Sequence, residues 1–303
     1  ILIYVLFYSP TSFKVKGSAK LMIIDGKKIS ESVLEGVKKD AEKLNGKGIT
    51  PSLAVIMVGN NPASKTYVRN KKMACEKAGI KSEEYLLPEN ASEKEILNLI
   101  DKLNATKEVS GILVQLPLPS HLDSKTICER ISPLKDVDAF TSKNIGDLFK
   151  GDAKFLPCTP AGILEILKHE NINLAGKHCV IIGRSNIVGK PLALLLIQND
   201  ATVTVCHSKT KNLEEICKLA DIVICAVGKE KFLKKEMVKP GAVVIDVGIN
   251  RDKNGKLCGD ADFENLEPIC SKITPVPGGV GPMTVAMLVK NAAKAAEIQN
   301  KRN

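Results

Sequence analysis

Tryptophan is absent from this 303-residue chain, and only four tyrosines and seven phenylalanines supply aromatic surface. So few stacking platforms argue against a nucleic-acid binder, although the net charge is +10 from 44 basic and 34 acidic residues. That excess is spread along the chain rather than gathered in one patch, which suits anionic small molecules better. Cysteine pairs at metal spacing are also missing. The nine Cys, an odd number, contain no Cys-x-x-Cys, so neither a disulfide framework nor a structural zinc site is expected, and a reducing compartment is the simpler setting. No apolar run is long enough for a membrane span. The stretch Ile1 to Tyr8 is too short and lacks the basic region of a signal peptide. Residues 1–20 contain no acid and read as a transit segment or as a non-native extension, so the fold is expected to begin at Met22. The expected location is the cytoplasm, or an organelle if residues 1–20 are a transit segment.

The chain has length for about two domains, and its 44% hydrophobic content describes a soluble globular protein. Helical and strand periods alternate from Met22 onward. Helices are expected over 30–44, 64–78 and 93–103, with strands over 53–58, 84–87 and 111–116, which describes a parallel sheet wrapped by helices. Pro117, Pro119, Pro133 and Pro157 punctuate a stretch leaving this first unit. A helix over 161–169 then leads into strands 178–182, 202–206, 222–227 and 242–247 with helices 190–198 and 212–219, a doubly wound dinucleotide-binding pattern. A last helix is expected from Met283, beyond a Pro-Gly loop 275–282, returning to the first domain. The fold class is thus α/β in two domains: 22–160 with 283–303, and a Rossmann-type domain over 161–282.

Absence is informative once more at the strand 201–205. A fold that prefers NAD carries an Asp or Glu there for the ribose 2′-hydroxyl, but this strand runs into Cys206-His207-Ser208-Lys209. The strand 179–182 leads into Gly183-Arg184-Ser185-Asn186-Ile187-Val188-Gly189-Lys190-Pro191, an imperfect dinucleotide fingerprint that presents backbone N–H groups to a pyrophosphate. Arg184, with Ser208 and Lys209, suits the 2′-phosphate of NADP, which a carboxylate would repel.

Polar residues of chemical interest precede this loop. Tyr67 and Lys71 stand four apart on one helical face, where a solvated surface pair is the bland alternative. Gln115 interrupts the apolar strand Ile112–Pro117 near the end where open parallel sheets place ligands. It must find a hydrogen-bond partner, for which a lysine ammonium is suitable. Lys135-Asp136-Val137-Asp138 offers two carboxylates that either cap a turn or accept paired hydrogen bonds from an aminopyrimidine edge. Pro275-Val276-Pro277-Gly278-Gly279-Val280-Gly281-Pro282-Met283-Thr284 forms a rigid loop that brings main chain close to a ligand.

In order, Tyr67-x-x-x-Lys71, Gly111 to Pro119, Lys135 to Asp138, Pro157-Cys-Thr-Pro-Ala-Gly162, Gly183 to Pro191 and Pro275 to Thr284 resemble the bifunctional methylenetetrahydrofolate dehydrogenase/cyclohydrolase family from Met22 to the C-terminus. The resemblance implies oxidation of 5,10-methylenetetrahydrofolate with NADP, then hydrolysis of the methenyl product to 10-formyltetrahydrofolate, in one cleft. It implies Lys71 as acid/base, Tyr67 positioning or stacking on substrate, Gln115 holding and tuning the lysine, and Asp138 binding the pterin. Val114, Leu116, Pro277, Gly278, Gly279, Val280 and Gly281 would line the folate site. Gly183, Arg184, Ser185, Ser208 and Ile249 would hold NADP. A homodimer is implied, and retention of Lys71 and Gln115 points to a surviving cyclohydrolase. No residues argue for a metal. One departure is Ala139, where the family usually has Gly. A short-chain alcohol dehydrogenase, which also uses Tyr-x-x-x-Lys, fails on order, because here the pair precedes the Gly loop. A non-catalytic NADP sensor or a dehydrogenase without the second activity would be expected to have lost Lys71 or Gln115.

Overall fold

The computed structural model describes residues 22–301, so the expectations for residues 1–20 lie outside the described residues. Strand β1 (Met22–Ile23) precedes helix α1 (Gly26–Asn45), which starts at Gly26 rather than Ser30 because the Asp25 side chain accepts the Lys28 N–H at 3.0 Å. Two strand-helix units and a third strand follow: β2 (Ser52–Val58), α2 (Pro62–Lys77), β3 (Lys81–Leu87), α3 (Glu93–Ala105) and β4 (Gly111–Val114). Asn61 caps α2 with Pro62 in its first turn, and Ser92 and Glu95 form a capping box on α3. The three strands form a parallel sheet in the order β3-β2-β4.

The proline-punctuated stretch after β4 contains two helices that periodicity does not reveal, α4 (Ser124–Glu129) and α5 (Ser142–Lys150), capped by Asp123 and Thr141. Both are short and set by local side-chain caps. Helix α6 (Cys158–His169) then leads into β5 (His178–Ile182), α7 (Gly189–Ile197), β6 (Thr202–Cys206), α8 (Leu213–Lys218), β7 (Ile222–Cys225) and β8 (Val243–Asp246). A small antiparallel hairpin, β9 (Asn250–Arg251) with β10 (Leu257–Cys258), is followed by α9 (Phe263–Leu266), β11 (Lys272–Ile273) and α10 (Val280–Asn300). The second sheet is parallel throughout, in the order β1-β11-β8-β7-β5-β6. Its order reverses at β5, and ligands of such sheets bind at the carboxyl ends beside that switch point.

Two further boundaries, both beside the site, differ from expectation. Helix α10 opens at Val280 rather than Met283, so the Pro-Gly segment is a loop only as far as Gly279, which caps the helix. Strand β4 ends at Val114, leaving Gln115 beyond the strand, next to the cis Leu116–Pro117 bond. Strand β1 also enters the second sheet, not the first.

Buried apolar clusters cover both faces of both sheets. One joins Leu53, Val55 and Leu113 to Val68 and Cys75 of α2 and to Leu288, Val289 and Ala292 of α10. The other face of the first sheet packs Ile56 and Ile112 on Ile96 and Ile100. Each such fully buried Ile or Leu contributes about 1.5–3 kcal/mol. The start of α10 belongs elsewhere: Val280 and Met283 pack with Ile163 and Ile166 of α6 and with Ile181 of β5. Gly162 permits that approach, since an added Cβ would come within 2.9 Å of the Met283 Cβ.

Candidate active site

Helix α2 follows the carboxyl end of β2, and Tyr67 and Lys71 lie one turn apart in its middle. Lys71 Nζ donates to Gln115 Oε1 at 2.9 Å. The Gln115 amide is fixed at its other atom too, because Nε2 donates to the Leu116 carbonyl at 2.6 Å and the backbone N–H to Ile56 O at 2.8 Å. With the nitrogen committed to a carbonyl, the oxygen must face the lysine. Gln115 is buried, so the pair forms a satisfied polar contact at the edge of an apolar sheet.

The segment 135–138 divides its charges between architecture and site. Lys135 is buried and donates to the carbonyls of Leu103 and Thr106. Asp136 is buried and accepts from Phe140 N, Thr141 N and Asn144 Nδ2 at 3.2, 2.8 and 2.9 Å. It plays the turn-capping part open to either carboxylate, which leaves Asp138 for Lys71. Burial pushes the Lys71 amine below the usual lysine range, and the Asp138 charge pulls it back. Burial holds the Asp138 carboxyl above its ordinary range, opposed by Lys71. Ala139 adopts φ 58 and is buried, so the turn takes the left-handed geometry without the glycine.

Two further residues support this pocket. Cys158, inside the Pro157–Gly162 motif but without an assigned role there, donates its thiol to Val137 O at 3.3 Å. Burial and the Asp138 charge hold that thiol well above the usual range. Asn291 on α10 donates to Val137 O at 2.8 Å and Leu156 O at 2.9 Å. No sequence signal marks Asn291, which follows Lys290 in a helix that also carries Lys294, Glu297 and Gln299.

A cavity of about 390 Å³ lies beside this cluster, between α1, α2 and the loops after β8 and β11. Tyr67, Ile249 and all of Pro277, Gly278, Gly279, Val280 and Gly281 line it, whereas Lys71, Gln115 and Asp138 do not. Tyr67, one turn from Lys71, is thus the one of these four that reaches the cavity, and burial raises its hydroxyl against an opposing Arg251 charge. Gly278 holds φ 103, and a Cβ on Gly279 would collide with Thr274 and Pro275. Val280 and Gly281 line the cavity from the first turn of α10, not from a loop. Val114 is a correction of another kind: its side chain is 4% exposed within the cluster behind the sheet, so only its main chain can face the site. Leu116 offers its carbonyl to Gln115 and is partly buried.

At the switch point, Gly183 has φ 128, and an added Cβ would strike the Ala226 carbonyl; a Cβ on Gly189 would strike the Gly183 carbonyl. These contacts make a tight cradle at the end of β5. Ser185, standing where the usual fingerprint has glycine, accepts with its hydroxyl from Val188 N at 3.2 Å and Gly189 N at 3.4 Å. Two of the N–H groups expected to face an anion are thus taken by this side chain. Arg184, Ser185 and Ser208 are exposed, the first two after β5 and the last after its neighbour β6, and the Gly183 N–H bonds Cys206 O at 2.9 Å. Ile249, 51% exposed, follows β8. The glycine cradle and exposed basic and hydroxyl groups fit a phosphorylated dinucleotide. Among the described residues no group of three or more His, Cys, Asp or Glu could hold a metal ion, and no helix is long and apolar enough to cross a membrane.

Residues 24–138 match the model for the tetrahydrofolate dehydrogenase/cyclohydrolase catalytic domain, and residues 157–300 match that family's NAD(P)-binding domain. The Bifunctional protein FolD of Acetivibrio thermocellus is 55% identical over 279 residues, covering 92% of this chain and 98% of its own. Among solved structures, the bifunctional enzyme FolD, a methylenetetrahydrofolate dehydrogenase/cyclohydrolase from Campylobacter jejuni, superposes with a TM-score of 0.89 at 51% identity, covering 91% of this chain and 99% of that one. The Trypanosoma brucei N5,N10-methylenetetrahydrofolate dehydrogenase-cyclohydrolase, solved with NADP cofactor and inhibitor, gives 0.88 at 35% identity over 92% of this chain and 98% of that one. This chain belongs to the tetrahydrofolate dehydrogenase/cyclohydrolase family.

Proposed function

We propose that the protein oxidises 5,10-methylenetetrahydrofolate to the 5,10-methenyl cation with NADP and hydrolyses that cation to 10-formyltetrahydrofolate. The observation that carries this reading is the Lys71–Gln115 hydrogen bond beside Asp138, in a chain matched along both halves by the family. Bound NADP supplies the hydride acceptor. Gly183 lets main chain approach it, Ser185 shapes the loop, Arg184 and Ser208 receive its 2′-phosphate, and Ile249 flanks it on the cavity side. The oxidation itself asks the protein for positioning more than for a base, since a ring nitrogen lone pair assists departure of the hydride. Hydrolysis needs proton transfer. The Lys71 amine, lowered by burial, takes a proton from the attacking water and returns it to the ring nitrogen whose bond to the carbon breaks, the remaining carbinol O–H proton leaving to solvent as the formyl C=O forms, while Gln115 holds the amine in place. Asp138 binds the pterin edge, Tyr67 covers the ring, and 277–281 line the path outward.

Apart from β1, which joins the second sheet, the folate half comprises 24–160 with 283–303, and the NADP half 161–282; the packing of α10 on α1 and β2 supports that division. Two copies pair through the nucleotide half, where β6 is an edge strand with exposed Val205 and the neighbouring Ile197 is 56% exposed. The deciding experiment is a spectrophotometric assay of the purified protein with methylenetetrahydrofolate, comparing NADP with NAD and following methenyl accumulation. Reduction of NADP without lasting methenyl accumulation supports the full reading. Accumulation of methenyl product leaves only the dehydrogenase, and no reduction of either cofactor overturns the proposal.

A further inference from the structure

Two buried carboxylates behind the nucleotide site have no part in the chemistry above. Asp246 ends β8 and Asp260 follows the β9–β10 hairpin; they are 2% and 0% exposed. Neither carboxylate has a salt-bridge partner among the described residues, and both are satisfied almost wholly by main-chain N–H groups. Asp246 Oδ1 accepts from Gly248 N and Asp260 N, and Oδ2 from Ala261 N, each at 2.9 Å. Asp260 Oδ2 accepts from Val227 N at 2.6 Å and Gly228 N at 2.9 Å, and Oδ1 from Lys229 N and Asn250 Nδ2 at 2.9 Å.

These bonds converge on the loops that leave β7 and β8. Val227 to Lys229 continue directly from Ala226, whose carbonyl abuts Gly183 of the dinucleotide cradle. Ile249 is held from both sides, by Gly248 on Asp246 and by Asn250 on Asp260. Two glycines exist to let the carboxylates in: a Cβ on Gly248 would collide with the Asp260 carboxylate, and one on Gly259 with that of Asp246. Rows of N–H groups at the carboxyl edge of a sheet are left over when strands end, and here fixed anions gather them.

We propose that Asp260, supported by Asp246, is a positioning residue for the dinucleotide: it sets the loops 226–229 and 247–250 against the Gly183 cradle. The inference rests on the reading of that cradle as the NADP site. Its test exploits the two activities, because hydrolysis of the methenyl substrate can be measured without dinucleotide. Asp260→Asn keeps the shape but turns an NH2 toward N–H groups, so the KM for NADP is expected to rise about tenfold while cyclohydrolase changes less than about twofold. A merely structural residue would depress both activities together, and that result, or an unchanged KM, overturns the inference. If Asp260→Asn does not fold, Asn250→Ala removes one donor from a partly exposed position. A raised KM for NADP with hydrolysis retained supports the inference, and an unchanged KM rejects it. Failure of the unaltered protein to reduce NADP would instead reject the assignment of function.

Discussion

Lys71 is held between two influences of opposite sign, burial lowering its amine and Asp138 raising it. Replacing Lys71 by Ala should lower cyclohydrolase turnover by about 10²–10⁴-fold while the dehydrogenase keeps a larger share of its rate, because only hydrolysis needs the proton transfer. Equal loss of both activities would refute that division. Asp138→Asn removes the charge that pulls the amine up, so the Lys71 titration should fall further. More free amine at a given pH moves the rising limb of the cyclohydrolase kcat profile to lower pH, and a limb that stays or moves up would contradict the coupling. The neighbouring Ala139 makes a separate test of the left-handed turn. Ala139→Gly relieves the turn but gives up a buried methyl, two effects of about 1 kcal/mol that offset, whereas a β-branched Ala139→Val should destabilise by more than that in urea unfolding. At this scale Gln115 was legible because it interrupts an apolar strand, whereas Tyr67, Lys71 and Asp138 took their roles from the resemblance, since a Tyr–Lys pair on a helix face and a carboxylate at a turn also occur as bland features. Cys158 and Asn291 were not legible, since the sequence does not distinguish a Cys or Asn that holds a carbonyl from one that fills space or faces solvent.

At the scale of elements, the first sheet and four of the six strands of the second follow from periodicity, while the two-residue β1 and β11 are too short to show a pattern, and the ends of elements were decided by caps. Asp25 lengthens α1, Gly279 starts α10 inside the Pro-Gly segment, and α4 and α5 exist through the single side chains Asp123 and Thr141. Such signals occupy one residue and leave no repeating pattern. The Gly183 cradle is a stricter device. Gly183→Ala sets a Cβ against the Ala226 carbonyl, so the KM for NADP should rise by about tenfold or more while hydrolysis of the methenyl substrate persists. Helix α10 is tied to the folate pocket through Asn291, whose replacement by Ala strands the Leu156 carbonyl and leaves Val137 O with only the weaker Cys158 thiol donor. That change should cost about 2–3 kcal/mol in chemical denaturation, and a smaller loss would mean that water replaces the amide.

For the whole molecule, the cofactor choice can be read as a ratio. Arg184→Ala should raise the KM for NADP far more than that for NAD, and an unchanged ratio would put the 2′-phosphate elsewhere. The chain also crosses between its halves at both ends. Strand β1, from the start of the described chain, lies in the second sheet beside β11, while α10, from its end, packs against β2 and reaches Ser110 O and Leu134 O through Gln299 at 2.7 and 3.0 Å. Each half therefore borrows a piece of sequence that lies on the far side of the other. A cut between residues 138 and 157 would separate the matched regions on paper but would release two incomplete bodies, each missing the other's clasp. The protein is closer to a buckle than to two beads on a string, so neither half is complete without chain that lies beyond the other.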